Sequence, residues 1–268
     1  MVVVRLSTGS AGSPRSSPTR GREVLRELKN SIRPLQSDLE YGAIPFGIAP
    51  IDDALGGGLA RAALHEVAAS GESALTAATQ FVLGFASRAS QPRAVVWVAE
   101  EMGLLENGVP YGPGLDDLGL PPERLVTVAA AKTRDVLWAM EEALRCRAVG
   151  MVIGEIRNAR LDLVASRRLS LAAGHRDACA FLLRTAPGMG ASAAATRWIV
   201  GAARSRATAA GPGAPRLSVE LTRNRRGPVG SWHLEWNRVE RRFDLASVSQ
   251  PVADAARDRP HRAAAFGA

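Results

Sequence analysis

The run Arg93–Ala99 (RAVVWVA) constrains this chain more than any other stretch, because it is apolar without the alternation of a half-exposed strand. A strand with one wet face alternates apolar and polar residues. A strand apolar throughout is buried on both faces, as in a parallel sheet covered by helices on each side. The neighbouring periodicities fit that frame. Leu64–Ala68, Leu125–Ala129, Ala148–Ile153 and Ala178–Arg184 read as further short strands. Between them lie helical patterns: Ser73–Arg88 with Leu75, Ala78, Val82 and Phe85 on one face, Thr133–Arg145 with Leu137, Met140 and Leu144 inward, and Asn158–Ala173. Thr133 is the expected N-cap of the second helix and Gly174 the stop of the third. Strands alternating with helices of this length predict a mostly parallel sheet wound by right-handed crossovers.

The last third changes period. Trp198/Val200, Leu217/Val219/Leu221, Trp232/Leu234/Trp236 and Val239/Phe243 alternate as strands do, with turns at Gly211-Pro212-Gly213 and Asn224–Gly230. That pattern predicts an antiparallel meander extending the parallel sheet. Outside this core, residues 1–20 are rich in Ser, Gly, Pro and Arg and read as a disordered leader. Residues 21–44 hold a short amphipathic helix and a linker, with Val24, Leu25, Leu28 and Ile32 forming a stripe that would dock on this domain or on a partner. The core is placed at 45–245, and 246–268, Ala/Arg-rich with Pro251 and Pro260, reads as a flexible tail.

No apolar run approaches the ~20 residues of a membrane span, and the start lacks a secretory apolar region. Cys146 and Cys179 have no metal spacing and read as reduced core thiols of a cytoplasmic protein. The four histidines are scattered, so no metal site is expected. Net charge is +8, and from Arg204 onward twelve arginines face six acids, a balance suited to nucleic acid or an acidic protein surface.

Ala69-Ser70-Gly71-Glu72-Ser73-Ala74-Leu75-Thr76 lies between the first strand and its helix, where a phosphate-binding loop would read G-x-x-x-x-G-K-[ST]. Ala69 and Ala74 hold the glycine positions and Leu75 the lysine position; Thr76 alone matches. A charge-assisted hydrogen bond contributes roughly 1.5–3 kcal/mol, so the missing lysine alone weakens nucleotide binding by one to two decades. Glu72 adds repulsion for an anion. The scaffold of a nucleotide enzyme is there without its chemistry, and no cofactor or catalytic residue is expected.

At this point the motifs resemble a family. Pro45–Leu59 (PFGIAPIDDALGGGL) is similar to the segment that leads RecA-type recombinases into their first core strand. Val95–Glu101 resembles the strand that carries their water-activating glutamate, which would place that role at Glu100. Val152-Ile153-Gly154-Glu155 sits where the Walker B carboxylate strand belongs. With the phosphate loop degenerate, Leu64–Val67, Tyr111–Leu120, Arg197-Trp198, Val219–Arg225 and Gly230-Ser231-Trp232 resemble the ImuA family of RecA-like proteins. The resemblance spans roughly residues 44–236. It implies an α/β RecA-like core, a mostly parallel sheet flanked by helices with antiparallel C-terminal strands. It also implies an accessory role in translesion synthesis in the damage-inducible SOS response. The implied partners are an ImuB-type polymerase homologue, an error-prone C-family DNA polymerase, and RecA at damaged DNA.

Each candidate residue has a plainer reading beside it. Glu100 and Glu155 serve either as catalytic carboxylates, in an ATP-dependent recombinase-like enzyme, or as structural remnants. Pro187–Ser192 is either a DNA-binding loop or a simple connection. Arg223, Arg225, Arg226, Trp232 and Trp236 are the best candidate for a partner or DNA surface, since arginine contacts phosphate and tryptophan stacks or anchors. The alternation of Trp232, Leu234 and Trp236 equally marks a core face.

Overall fold

The computed structural model describes residues 2–5, 42–89, 92–157, 161–188, 190–206 and 213–247. The Val24–Ile32 stripe and the tail beyond Ser247 lie outside them. The strands are β1 (Val2–Arg5), β2 (Ala43–Ile44), β3 (Leu59–Ala60), β4 (Leu64–Ala69), β5 (Ala94–Glu100), β6 (Leu125–Ala130) and β7 (Val149–Ile156), then β8 (Cys179–Arg184), β9 (Thr196–Ala203), β10 (Arg216–Asn224), β11 (Gly230–Asn237) and β12 (Arg242–Leu245). The helices are α1 (Ala49–Leu55), α2 (Leu75–Ala89), α3 (Glu101–Asn107), α4 (Gly112–Asp117), α5 (Thr133–Leu144) and α6 (Leu163–Gly174).

Among the described residues, ten strands form one sheet in the order β1-β6-β5-β7-β8-β4-β9-β10-β11-β12. From β1 to β9 neighbours pair in parallel, and β9 to β12 pair antiparallel. β9 is therefore the joint between the two halves. The apolar run read from the sequence is β5, and Val95, Trp97 and Ala99 enter one core while Val96 and Val98 enter the other. α2 fills the first core, with Ala78, Phe81, Val82 and Phe85 against Trp97, Phe181, Trp198 and Val200. α5 and α6 fill the second, with Val136, Met140, Leu144 and Leu169 against Val96, Val152 and Leu182.

Two close approaches make the first core possible. Gly56, Gly57 and Gly58 all have positive φ (69°, 105° and 130°), and a Cβ on Gly58 would meet the Ile44 carbonyl oxygen at 2.4 Å. Gly84 in α2 lets Phe243 and Trp236 pack onto the helix; a Cβ there would meet the Phe243 ring at 2.7 Å. Asp52 ties down the segment before α1, accepting from the backbone N–H groups of Phe46 (2.8 Å), Gly47 (2.9 Å) and Ile48 (3.2 Å). Its place in the Ile-Asp-Asp motif is thus a turn clamp.

Several expectations are corrected. Val2–Arg5, assigned to a disordered leader, pairs in parallel with β6. Thr133 is the first residue of α5 rather than its cap, because its hydroxyl donates to Glu100 instead. α6 starts at Leu163, where Asp162 caps by accepting from the Ala165 N–H at 2.6 Å, and Gly174 lies inside its last turn. Val239 sits in the β11–β12 turn, 91% exposed, and Cys146 is exposed whereas Cys179 is buried. No described helix is long and apolar enough to cross a membrane.

Candidate functional site

Parallel-sheet proteins build sites at the C-terminal strand ends, and the sequence candidates lie there, at β4, β5 and β7. The segment after β4 is closed on itself. Ala69 is fully buried, and the Ser70 N–H donates to the Val200 carbonyl at 2.8 Å. Gly71 is extended (φ −177°), and Glu72–Ala74 form one 3₁₀ turn running straight into α2. The Ala74 N–H donates to Gly71 O at 2.9 Å, and the Leu75 N–H to Glu72 O. Those donors would face the anion in a phosphate-binding loop; here the chain's own carbonyls take them. Leu75 is half-buried against the core, while Thr76 is exposed in the first turn of α2.

Glu100 and Glu155 sit on neighbouring strands, yet Ala99, not Glu100, lies opposite Glu155, so the two carboxylates leave the sheet on opposite faces. Glu100 accepts from the Thr133 hydroxyl. Glu155, 7% exposed, lies under α3, with Gly103 above it. Burial pushes its pKa up; the Trp97 indole, Asn107 and Arg157 act against that shift, and Glu100 adds to it. Its Oε1 still makes no full hydrogen bond. Glu155 is thus a carboxylate roofed by α3, and β8 separates its strand from β4. Among the described residues no three of His, Cys, Asp and Glu converge as metal ligands.

The proposed basic–aromatic surface does not assemble. Strand alternation turns Trp232, Leu234 and Trp236 inward: Trp236 is 2% exposed with its ring 4.7 Å from Phe243, and Trp232 packs beside Trp198 at 6.3 Å. Arg223 donates to the Ser192 carbonyl at 2.9 Å. Arg226 is half-buried, close enough to His65 to lower its pKa. Of the three arginines Arg225 is the exposed one.

Arg223 and Arg197 hold the loop after β8, of which Met189 lies outside the described residues. Glu66 in β4 accepts from the Ser192 hydroxyl and pairs with Arg197 at 2.9 Å. Arg197 also donates to Gly190 O at 2.6 Å, and the Ala193 N–H donates to the Ser166 hydroxyl at 3.0 Å. Beside this clamp His65 is fully buried, with Nε2 donating to Ala60 O (2.9 Å) and Nδ1 facing the Thr196 hydroxyl (2.8 Å), which accepts from Trp198 Nε1 (2.8 Å). Burial holds the His65 pKa down at about 4. Sequence reasoning missed the clamp because its partners, Glu66 with Ser192 and Arg197, are 126 residues apart or more. A pinned loop fits the plainer reading of Pro187–Ser192.

A curated relative decides the family. Protein ImuA of Caulobacter vibrioides (strain NA1000 / CB15N) is 34% identical over 211 residues, covering 72% of this chain and 82% of the relative, and the protein of strain ATCC 19089 matches to the same extent. The chain belongs to the ImuA family. No family model matches it. Among solved structures, the RadB recombinase superposes with a TM-score of 0.52 at 16% identity, covering 76% of this chain and all of that one. At that identity the likeness concerns the fold, and it is a RecA-like fold. The ImuA-family chain thus has a RecA-like fold in which the segment after β4 carries Ala69, Ala74 and Leu75.

Proposed function

We propose that this ImuA-family chain is a non-catalytic RecA-like adaptor of a damage-inducible mutasome in the cytoplasm. It links an ImuB-type polymerase homologue and an error-prone C-family DNA polymerase to RecA and damaged DNA during translesion synthesis. The observation that carries this reading is the turn at Gly71–Leu75. Where nucleotide chemistry needs a cation and a nest of free N–H groups, the loop offers Leu75 and donors already bonded to Gly71 O and Glu72 O. Without bound nucleotide, hydrolysis cannot switch its contacts, so expression and partner binding set when it acts.

One observation favours an ATP-dependent recombinase-like alternative: carboxylates are still present at the ends of β5 and β7, at Glu100 and Glu155. Calorimetry with Mg·ATP separates the two readings. The adaptor has no affinity tighter than about millimolar and no measurable hydrolysis, as expected when both charge neutralisation and nest are lost. Micromolar binding overturns it. The positive test is co-purification with the ImuB-type protein and RecA from damaged cells, which must survive Glu100→Gln.

A further inference from the structure

The outer face of the antiparallel half carries a cavity that neither the family nor the phosphate-loop position explains. β10 and β11 turn Leu217, Val219 and Leu234 into the core, so Arg216, Ser218 and His233 face outward. On that face Gly201, Ser218 and His233 lie side by side across β9, β10 and β11. The Ala246 N–H donates to His233 O at 2.8 Å and extends the row. This part of the face is a depression of about 800 Å³, with Ala203, Arg204, Arg206, Ser218 and His233 among its lining.

Its charge is one-sided. Arg216 in the wall is neutralised by Glu235, to which its Nε donates at 2.5 Å. Arg204 and Arg206 are exposed, and among the described residues no carboxylate lines the cavity. Hydroxyls of Ser205, Ser218 and Ser247 surround the same space. Ser70, from the closed loop after β4, reaches its edge: a Cβ on Gly201 would meet the Ser70 and Ser218 oxygens at 2.7 and 2.8 Å. Among the described residues the lining holds no Phe, Tyr, Trp or large aliphatic side chain, so it lacks the anchor pocket of a protein hot spot. Guanidinium forks with neutral donors and no competing acid suit phosphate oxygens.

We propose that this cavity binds the phosphate backbone of a single-stranded nucleic acid. The choice of a nucleic-acid strand as the phosphate source rests on the translesion reading above; the anion site itself does not. Contacts to phosphate carry no base readout, so binding is sequence-independent and falls steeply with salt.

The test is fluorescence anisotropy of a labelled oligothymidylate with the full chain, titrated at several salt concentrations. Arg204→Glu/Arg206→Glu weakens binding about tenfold or more at low salt, and the log–log salt slope falls by about 1.4, two phosphate contacts' worth. Arg134→Glu/Arg167→Glu, an equal charge change on α5 and α6, stays within about twofold of the parent if local contacts rather than net charge decide. Both pairs are exposed, so thermal unfolding is unchanged. Parent-like binding by the first variant overturns the proposal, and so does an equal loss in the second. Displacement of the strand by micromolar mononucleotide overturns the choice of a strand and assigns the cavity to a free nucleotide. Co-purification of protein partners by the first variant is read separately, so failure of the DNA site and failure of the adaptor role are distinguishable.

Discussion

Two regions on either side of β9 hold the same kinds of groups to opposite effect. After β4 the backbone donors turn inward onto Val200, Gly71 and Glu72 carbonyls, and the cation is replaced by Leu75. On the outer face of β9–β11, Arg204 and Arg206 stand over a depression with no acid among its described lining residues. The difference teaches that neighbouring parts of one sheet dispose of polar groups in opposite ways. Arginine stays where small side chains leave room, and it is neutralised where strands bring a carboxylate opposite, as Glu235 stands opposite Arg216.

The comparison breaks most readily at the shared strand. Trp198 on β9 is 1% exposed and packs on Phe46, Phe81 and Trp232. Trp198→Ala is expected to cost about 3–5 kcal/mol in denaturant unfolding and to loosen both regions in one transition. Two separate transitions would mean that the regions fold independently.

Arg197→Ala tests the next link. It leaves Glu66 buried without its guanidinium partner, a loss of about 3 kcal/mol, and frees the loop at Gly190. Faster proteolysis at Pro187–Ser192 with unchanged oligothymidylate binding would sharpen the contrast between the clamp and the cavity; weakened oligothymidylate binding would erase it.

His65 gives a smaller, pH-dependent effect. Its folded pKa of about 4 lies below the ordinary 6.5, so the unfolded chain takes up a proton first as pH falls. Stability is full above pH 6.5, declines below it and levels off below 4. Between pH 7 and 5 the drop is about 2 kcal/mol from this group. His65→Gln should flatten that limb in urea titrations at the two pH values, and an unchanged limb would move the acid sensitivity elsewhere.

Restoring the motif should do least. Ala69→Gly/Ala74→Gly/Leu75→Lys returns the residue types, but the turn keeps its internal bonds and Glu155 stays roofed by α3. Calorimetry should still find no Mg·ATP binding tighter than about millimolar. Micromolar binding would show that only three side chains, and not the loop's conformation, had been lost.

Local periodicity was enough to read β4–β8, α2, α5 and the antiparallel strands, because burial on one or two faces writes itself as spacing along the chain. The same spacing offered Trp232 and Trp236 as either core or surface, and only packing against Trp198 and Phe243 decided for the core. A helix cap was misread where a side chain had a distant alternative: Thr133 serves Glu100, across 33 residues, instead of its own helix. Within the sequence alone lay the residues of the loop after β4, the α/β order and the basic last third. The clamp of Glu66, Ser192 and Arg197 and the lining of the cavity needed the tertiary structure. They are made by residues far apart in the chain, brought side by side by strand order and register, which no local pattern encodes.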